Sequence, residues 1–168
     1  GTMWLDVEKR EWSTALLSLT GLDVSQMPRL VEGDEVSGVL SVQAAQKLGL
    51  SAGIVVAGGA GDNAASAIGM GAVNAGEGFL SLGTSGVLFV VTPSYQPNAA
   101  SAAHAFCHAV SNRWHQMSVM LSAASSLQWV THLLGAESEA ALEAKAKNLT
   151  FKQRASSPLF LPYLSGER

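Results

Sequence analysis

The sequence predicts an α/β protein, and three observations predict it. Residues 54–57 (IVVA) form an unbroken apolar run, which is typical of a central parallel strand covered on both faces. A glycine-rich segment follows at 58–61, and a helix of small residues then begins near residue 62. Strand, glycine-rich loop and helix in this order are the arrangement in which α/β proteins place ligands. Later in the chain, apolar residues at helical spacing indicate a longer helix at 120–134.

The first part of the chain alternates short strands and helices. Ser13 is a typical N-cap residue, and Gly21 and Gly49 are typical of the position just after a helix. Residues 35–40 alternate weakly between polar and apolar, as in a strand. The predicted elements are a strand at 2–5, a helix at 14–20, a strand at 35–40 and a helix at 42–48.

The second part of the chain predicts a hairpin and then a change from strand to helix. Two β-rich runs flank the polar sequence GTSG at 83–86, which indicates a hairpin. Glu143 precedes Lys147 by one helical turn and so favours a helix at that place. The predicted elements are strands at 79–82, 87–91, 105–110 and 114–120, helices at 120–134 and 138–149, and a final apolar strand at 158–163.

Composition excludes several classes of function. Thirteen acidic and ten basic residues give a formal charge of −3, without a dense basic stretch, so we expect neither a nucleic acid nor an acidic lipid surface as a partner. The longest run of small apolar residues, 53–78, is interrupted by polar residues and glycines, so we expect no membrane span. Cys107 is the single cysteine, and the chain does not open with a leader pattern; a cytoplasmic protein is therefore expected.

The first candidate site is the sequence GGAGDN at 58–63. Its glycines allow the backbone to approach a ligand closely, and Asp62 is placed at the N-terminus of the following helix. The helix dipole favours an ionised carboxylate there, so Asp62 can accept hydrogen bonds and act as a general base. The residues alone leave open whether Asp62 does so or only caps the helix.

The second candidate site is the predicted hairpin turn, which consists of Gly83, Thr84, Ser85 and Gly86. Two hydroxyls and consecutive backbone N–H groups in a tight turn can form a concave anion site, although an ordinary turn has the same composition. Together with Asp62, which also follows an apolar strand, such a turn would supply the minimum set of groups for phosphoryl transfer.

Five short motifs follow one another along the whole chain. They are VAGGAGDNAA at 56–65, LSLGTSGV at 80–87, FCHA at 106–109, MSVMLSAA at 117–124 and FLPYLSGER at 160–168. In this order they resemble the FGGY family of carbohydrate kinases, and the resemblance covers the whole chain. The chain corresponds to only the middle part of such a kinase, so we expect it to be part of a longer enzyme.

The resemblance implies an actin-like, ribonuclease-H-like ATPase fold with ATP and sugar in the cleft between two lobes. Residues 1–75 would form the C-terminal part of the first, sugar-side lobe, and residues 76–168 the N-terminal part of the second, nucleotide-side lobe. The implied activity is phosphorylation of a pentulose, with D-xylulose as the expected acceptor, by ATP with Mg²⁺. The resemblance also implies a homodimer for the full-length enzyme, with a small-molecule sugar and ATP as its ligands.

The resemblance also assigns roles to the two candidate sites. Asp62 matches the catalytic base of the family, which takes the proton from the sugar hydroxyl, and Asn63 would contact the sugar. The loop of Gly83, Thr84, Ser85 and Gly86 matches the loop that holds the phosphates of ATP. The family's metal-side loop, further sugar contacts and adenosine site are expected outside these residues, so no metal ligand is assigned in this chain.

One alternative is a dinucleotide-binding oxidoreductase domain. Gly59, Gly61 and Ala64 fit the fingerprint G-x-G-x-x-G/A between a strand and a helix. The fingerprint also requires an acidic residue about 20 positions later, at the end of the next strand, to bind the ribose. No acidic residue follows the strand at 79–82 at that place.

Two further alternatives remain open at this stage. The side chains of His104, Cys107, His108 and His115 are of types that bind zinc, but alternation along a strand would place Cys107 opposite His104 and His108. The chain could instead be a non-catalytic folding or interaction unit, with the small-residue helix at 63–70 packed against a partner.

Overall fold

The computed structural model describes residues 2–167, so the outer ends of the two predicted lobe ranges, Gly1 and Arg168, lie outside the described residues. Within these residues there are eight strands, six α-helices and two short 3₁₀ helices. The strands are β1 (Leu5–Asp6), β2 (Glu11–Trp12), β3 (Val36–Val39), β4 (Val55–Ala57), β5 (Gly78–Leu82), β6 (Gly86–Thr92), β7 (His104–Cys107) and β8 (Trp114–Met120). The helices are α1 (Thr14–Leu19), α2 (Val42–Leu48), α3 (Asp62–Met70), α4 (Ala124–Leu133), α5 (Glu139–Lys147) and α6 (Phe151–Ser156), with 3₁₀ helices at Val24–Gln26 and Ala99–Ser101.

The chain divides into two compact units. The first contains the chain up to Phe79 together with Phe89–Met117, and the second contains Leu80–Leu88 and the described chain from Ser118 onward. Strands β5, β6 and β8 therefore each have residues in both units. The boundary predicted after residue 75 refers to the lobes of the longer protein and not to these two units, so it stays a prediction.

The start of α1 and the end of α2 lie where their sequence signals predict. The hydroxyl of Ser13 accepts a hydrogen bond from the backbone N–H of Leu16 at 3.3 Å, and so caps α1. Helix α2 ends at Gly49, whose φ of 68° lies in the left-handed region that favours glycine. These two predictions are confirmed.

Strand β4 is not the central parallel strand that its apolar run predicts. It pairs antiparallel with β3 in a two-stranded sheet, and the side chains of Val55 and Val56 are 60% and 45% exposed. Leu40 extends this pairing, because its N–H donates to the carbonyl of Ile54 and its own carbonyl accepts from the N–H of Gly53. Helix α2 therefore lies in the connection between the two antiparallel strands β3 and β4. An apolar run indicates that a strand can be buried on both faces. It does not determine whether the strand pairs parallel or antiparallel with its neighbour.

The larger sheet has the strand order β5-β6-β8-β7. The predicted hairpin at residues 83–86 is confirmed, because β5 and β6 are neighbours in this sheet. Strands β7 and β8 pair antiparallel, with His104 opposite Met117 and Cys107 opposite Trp114. Strand β8 has its predicted bounds, whereas β7 ends at Cys107, before the predicted end at residue 110.

Helix α4 begins at Ala124 rather than at the predicted residue 120, because Met120 is the last residue of β8. At the start of α4, the N–H groups of the N-cap Ala123 and of Ala124 donate to the carbonyl oxygens of residues 84 and 83, outside the helix. Helix α5 is confirmed, and its Glu143–Lys147 ion pair is 3.6 Å long. Among residues 2–167, no helix combines the length and the apolar character needed to cross a membrane.

The C-terminal region differs from its prediction in two places. Helix α6 was not predicted, although Thr150 and Gln153 form a capping box whose spacing is visible in the sequence. Residues 158–163 were predicted as a strand and have no regular secondary structure. Pro158 and Pro162 lack the backbone N–H that a strand uses to pair, which explains the difference.

The core of the first unit is built around Phe89, which is completely buried. Its ring stacks on Phe79 with the centroids 4.9 Å apart, and on His115 with the centroids 4.1 Å apart. The ring of His108 meets it edge-on at 5.8 Å. Both histidines are buried, so two titratable rings are part of an otherwise apolar cluster.

The two buried histidines differ in their hydrogen bonds. His108 uses both ring nitrogens, because Nδ1 accepts from the N–H of Val110 at 3.0 Å and Nε2 lies 3.2 Å from the carbonyl oxygen of Ala72. Nδ1 of His115 is buried without a hydrogen-bond partner among the described residues. Burial, with a smaller contribution from nearby His108, lowers the pKa of His115 to about 4. Burial also lowers the pKa of His108, against the opposing effect of its bond to Ala72.

The glycine-rich loop between β4 and α3 is closely packed against residues 31–35. The N–H of Gly58 donates to the carbonyl of Glu35 at 2.9 Å, and that of Gly59 donates to the carbonyl of Gly33 at 3.0 Å. A Cβ atom on Gly58 would overlap the carbonyl oxygen of Glu32 and lie 2.9 Å from a methyl group of Val31. Gly58 therefore allows two backbone segments to approach each other, and not only a ligand.

We expect Gly58→Ala to lower the free energy of unfolding by about 1–3 kcal/mol, because the new methyl group must displace backbone atoms. The matched control is Gly69→Ala in α3, where a Cβ atom would meet nothing within 4 Å. That change should raise stability by about 0.5–1 kcal/mol, as alanine is the better helix former. Urea unfolding followed by circular dichroism measures both, and equal effects would contradict the packing assigned to Gly58.

We also expect stability to fall as the pH is lowered from 7 to 4. The pKa of His115 is about 4 in the folded chain and 6.5 ordinarily, so the unfolded chain binds more protons between these values. The resulting loss is at most about 3 kcal/mol. His115→Phe, which keeps a ring in the stack, should flatten the dependence of unfolding on pH. An unchanged dependence in His115→Phe would contradict this assignment.

Candidate active site

Asp62 is the first residue of α3, and Gly61 before it is the N-cap. The side-chain oxygen Oδ1 of Asp62 accepts hydrogen bonds from the backbone N–H of Asn63 at 2.8 Å and from its Nδ2 at 3.3 Å. The N-cap makes no side-chain hydrogen bond. Asp62 therefore does not occupy the capping position that the alternative interpretation gave it.

The other oxygen of Asp62 is available. Oδ2 has no hydrogen-bond partner within residues 2–167, and the side chain is exposed. The carboxylate is thus oriented through Oδ1 while Oδ2 can accept a proton or a hydrogen bond from another molecule.

Asp62 and Asn63 line a cleft of about 420 Å³ within the first unit. Phe106, Met117 and Cys107 provide largely apolar walls, and His115 is also part of the lining. Apolar walls with a few polar groups are typical of small-molecule sites. Sequence reasoning singled out Asp62 and Asn63, but no sequence signal indicated that β7 and β8 would line a cleft beside them.

Cys107 and His115 are poor candidates for nucleophile or metal ligand. Burial raises the pKa of the Cys107 thiol, and its Sγ lies 3.7 Å from the carbonyl oxygen of Val7, as a weak donor. The ring of His115 is buried and stacked on Phe89, which leaves it little access to a metal ion. No group of three His, Cys, Asp or Glu side chains in the described part of the chain is placed to hold a metal ion, so the zinc interpretation finds no support.

The loop at residues 83–86, the second candidate site, presents free donors. The N–H groups of Thr84 and Ser85 find no acceptor among residues 2–167, and neither does the hydroxyl of Thr84. The N–H of Gly83 is used within the loop and donates to the carbonyl of Ser85 at 2.9 Å. Residues 83–85 are exposed, so two amides and one hydroxyl can meet an anion.

The acceptor groups of the same loop are bound to the start of α4. The carbonyl oxygen of Thr84 accepts from the N–H of Ala123 at 2.7 Å and from the hydroxyl of Ser125 at 2.9 Å. The carbonyl oxygen of Gly83 accepts from the N–H of Ala124 at 2.9 Å. A Cβ atom on Gly86 would lie 3.1 Å from Cβ of Ala123, so the glycine permits this close approach. Sequence reasoning missed this contact, which joins residues far apart in the chain.

The two candidate sites belong to different units. Asp62 and Asn63 lie in the first unit, and residues 83–86 with the start of α4 lie in the second. Each unit brings its own predicted residues together, and the chemistry of each site follows from contacts inside one unit.

The dinucleotide fingerprint is not in the required context. Strand β4 lies in the two-stranded sheet with β3, whereas β5, the next strand after α3, lies in the four-stranded sheet. The two strands flanking α3 are therefore not parallel neighbours in one sheet, as a dinucleotide-binding βαβ unit requires.

Comparison with known proteins gives one consistent result. Residues 1–69 match the FGGY family of carbohydrate kinases, N-terminal domain. The chain is 51% identical over 168 residues to the xylulose kinase of Escherichia coli strain K12, covering 100% of this chain and 34% of that protein. It is also similar to the crystal structure of a xyloylose kinase from Brucella ovis, with 53% identity, a TM-score of 0.87, and coverage of 100% of this chain and 34% of that one.

A second solved structure agrees, the xylulose kinase from Rhodospirillum rubrum, with 26% identity, a TM-score of 0.84, and coverage of 97% of this chain and 33% of that one. The chain spans about a third of the length of the curated relatives it matches. These likenesses confirm the predicted fold, the actin-like ATPase fold of FGGY sugar kinases, and give no support to an oxidoreductase. The chain belongs to the FGGY family of carbohydrate kinases.

Proposed function

We propose that the protein containing this chain transfers the γ-phosphoryl group of ATP to a hydroxyl of D-xylulose, giving D-xylulose 5-phosphate. The observation that carries the proposal is the 51% identity to the xylulose kinase of Escherichia coli, which extends over the whole chain and so includes both candidate sites. The geometry of each site is consistent with the role proposed for it.

Asp62 is proposed as the catalytic base. Its free oxygen Oδ2 accepts the proton of the attacking sugar hydroxyl, while its hydrogen bonds to Asn63 keep the carboxylate in one orientation. In phosphoryl transfer the protein contributes mainly position and charge, so a fixed acceptor is the contribution to expect from this residue.

Asn63 is proposed to bind the sugar. Its backbone N–H and its Nδ2 are engaged with Asp62, which leaves its side-chain oxygen to accept from a sugar hydroxyl. The apolar walls formed by Phe106 and Met117 can pack against the C–H groups of the sugar.

The loop of Gly83, Thr84, Ser85 and Gly86 is proposed to hold the phosphates of ATP. The free amides of Thr84 and Ser85 and the free hydroxyl of Thr84 fit phosphate oxygens, which are acceptors only. The hydroxyl of Ser85 is partly engaged, since it donates to the carbonyl of Leu121 at 3.3 Å.

Kinases of this family use ATP, typically with Mg²⁺. Mg²⁺ at such sites is usually held by one or two carboxylates together with water and the phosphates of the substrate, so its position depends on the bound nucleotide as well as on side chains. Binding of Mg²⁺ is therefore not assigned to this chain. The cytoplasmic location and the homodimer stay predictions.

Asp62→Asn in the intact protein should lower kcat by about 10²- to 10⁴-fold, the usual contribution of a general base. Asparagine has the same shape and can still accept the hydrogen bonds from Asn63, so folding should be unaffected. A coupled assay of ADP release with ATP and D-xylulose measures kcat, and thermal unfolding measures stability.

The matched control for this variant is Asp23→Asn, an acidic residue that caps the 3₁₀ helix at Val24–Gln26. Asparagine caps equally well, so neither turnover nor melting temperature should change. Turnover of Asp62→Asn close to that of the unmodified enzyme would rule out the proposed base.

Thr84→Val should raise KM for ATP by five- to thirtyfold, equivalent to about 1–2 kcal/mol for one charge-assisted hydrogen bond. Valine keeps the volume and the β-branched shape, so the loop itself should persist. KM for D-xylulose should stay unchanged, because the hydroxyl belongs to the phosphate site.

Thr14→Val is the control for this change, since it removes an exposed hydroxyl at the start of α1. Initial-rate kinetics with each substrate varied in turn separate the two KM values. An effect confined to KM for D-xylulose would place Thr84 at the sugar instead of the phosphates.

A further inference from the structure

Glu167 contacts the backbone near the start of α4. Its Oε2 accepts a hydrogen bond from the N–H of Leu121 at 2.9 Å, across 46 positions of the chain. A hydrogen bond to an ionised carboxylate is stronger than one between neutral groups. Leu121 lies directly after β8, and both residues belong to the second unit.

The other backbone group of Leu121 contacts the 83–86 loop. Its carbonyl oxygen accepts from the hydroxyl of Ser85 at 3.3 Å. Leu121 is thus held on one side by Glu167 and binds the loop on the other. The N–H and the carbonyl group of Leu121 therefore connect the carboxylate of Glu167 to the hydroxyl of Ser85.

The residues after Leu121 make the remaining contacts with the loop. The N–H groups of Ala123 and Ala124 and the hydroxyl of Ser125 all donate to the carbonyl oxygens of Thr84 and Gly83, over 2.7 to 2.9 Å. The position of this segment therefore sets the position of the loop. The free amides of Thr84 and Ser85 lie on the same short stretch of backbone.

We propose that Glu167 is a positioning residue for the 83–86 loop and thereby sets the affinity for the phosphates of ATP. Glu167 acts through the N–H of Leu121 and the hydroxyl of Ser85, without contacting ATP. The inference rests on the proposed function of the loop, since it names a further determinant of the same site.

Three variants of the intact protein test the proposal, in the ADP-release assay with each substrate varied. Glu167→Ala should raise KM for ATP by about fivefold or more, with KM for D-xylulose unchanged. Glu167→Gln keeps an acceptor oxygen for the N–H of Leu121, and should restore KM for ATP to within about threefold of the original value. Glu143→Ala, which removes an exposed carboxylate on α5 of the same unit, should change neither constant.

A double-mutant cycle tests the route of the effect. If Glu167 acts through Leu121 and Ser85, the increases in KM for ATP caused by Glu167→Ala and Ser85→Ala will be less than multiplicative in the double variant. Multiplicative effects would overturn the proposed route, and an unchanged KM for ATP in Glu167→Ala would overturn the proposal itself.

Hydrogen exchange separates failure of this inference from failure of the proposed function. Glu167→Ala should speed exchange of backbone amides at residues 118–125, which include the N–H groups of Leu121, Ala123 and Ala124, whereas Glu167→Gln should not. If the unmodified protein lacks activity with ATP and D-xylulose, the proposed function fails, and the exchange data still report on the contact. Exchange that is the same in all three proteins would overturn the positioning role.

Discussion

The hydrogen bonds from the start of α4 to the carbonyl oxygen of Thr84 are the constraint on which the second unit depends. This oxygen accepts from the N–H of Ala123 at 2.7 Å and from the hydroxyl of Ser125 at 2.9 Å. The first N–H groups of a helix have no partner inside the helix, and here the loop supplies acceptors for them. In return, the loop is fixed by its carbonyl groups while its amides at Thr84 and Ser85 stay free. The same contacts therefore stabilise the fold and prepare an anion site.

In the first unit, hydrogen bonds likewise fix one part of a functional group and leave another part free. The group here is the side chain of Asp62 instead of a loop. One oxygen of Asp62 is held by the backbone and side chain of Asn63, and the other faces no partner in the described chain. A catalytic group must be oriented before the substrate binds, since orientation acquired during the reaction would cost conformational entropy. Local hydrogen bonds provide that orientation in both units without using the atoms that chemistry requires.

Features that depend on neighbouring residues could be predicted from the sequence, and features that depend on distant residues could not. The cap at Ser13, the end of α2 at Gly49 and the turn at residues 83–86 each rest on a short local signal. The antiparallel pairing of β4 and the contact of the loop with α4 join residues far apart, and no local pattern encodes them. Asp62 could be located for the same reason as the caps, because it follows a strand and begins a helix. The walls of its cleft could not be predicted, because they are supplied by β7 and β8, which lie far from Asp62 in the sequence.

The order of Gly61 and Asp62 explains why a carboxylate at a helix N-terminus remains available. An aspartate at the N-cap position would typically use its side chain to accept from the N–H groups two or three residues later. Here Gly61 occupies that position and makes no side-chain bond, so Asp62 is shifted one residue into the helix. From there its Oδ1 meets only the adjacent N–H and Nδ2 of Asn63. Oδ1 of Asp62 thus satisfies one of the unpaired N–H groups of the first helical turn, while Oδ2 is left free for chemistry.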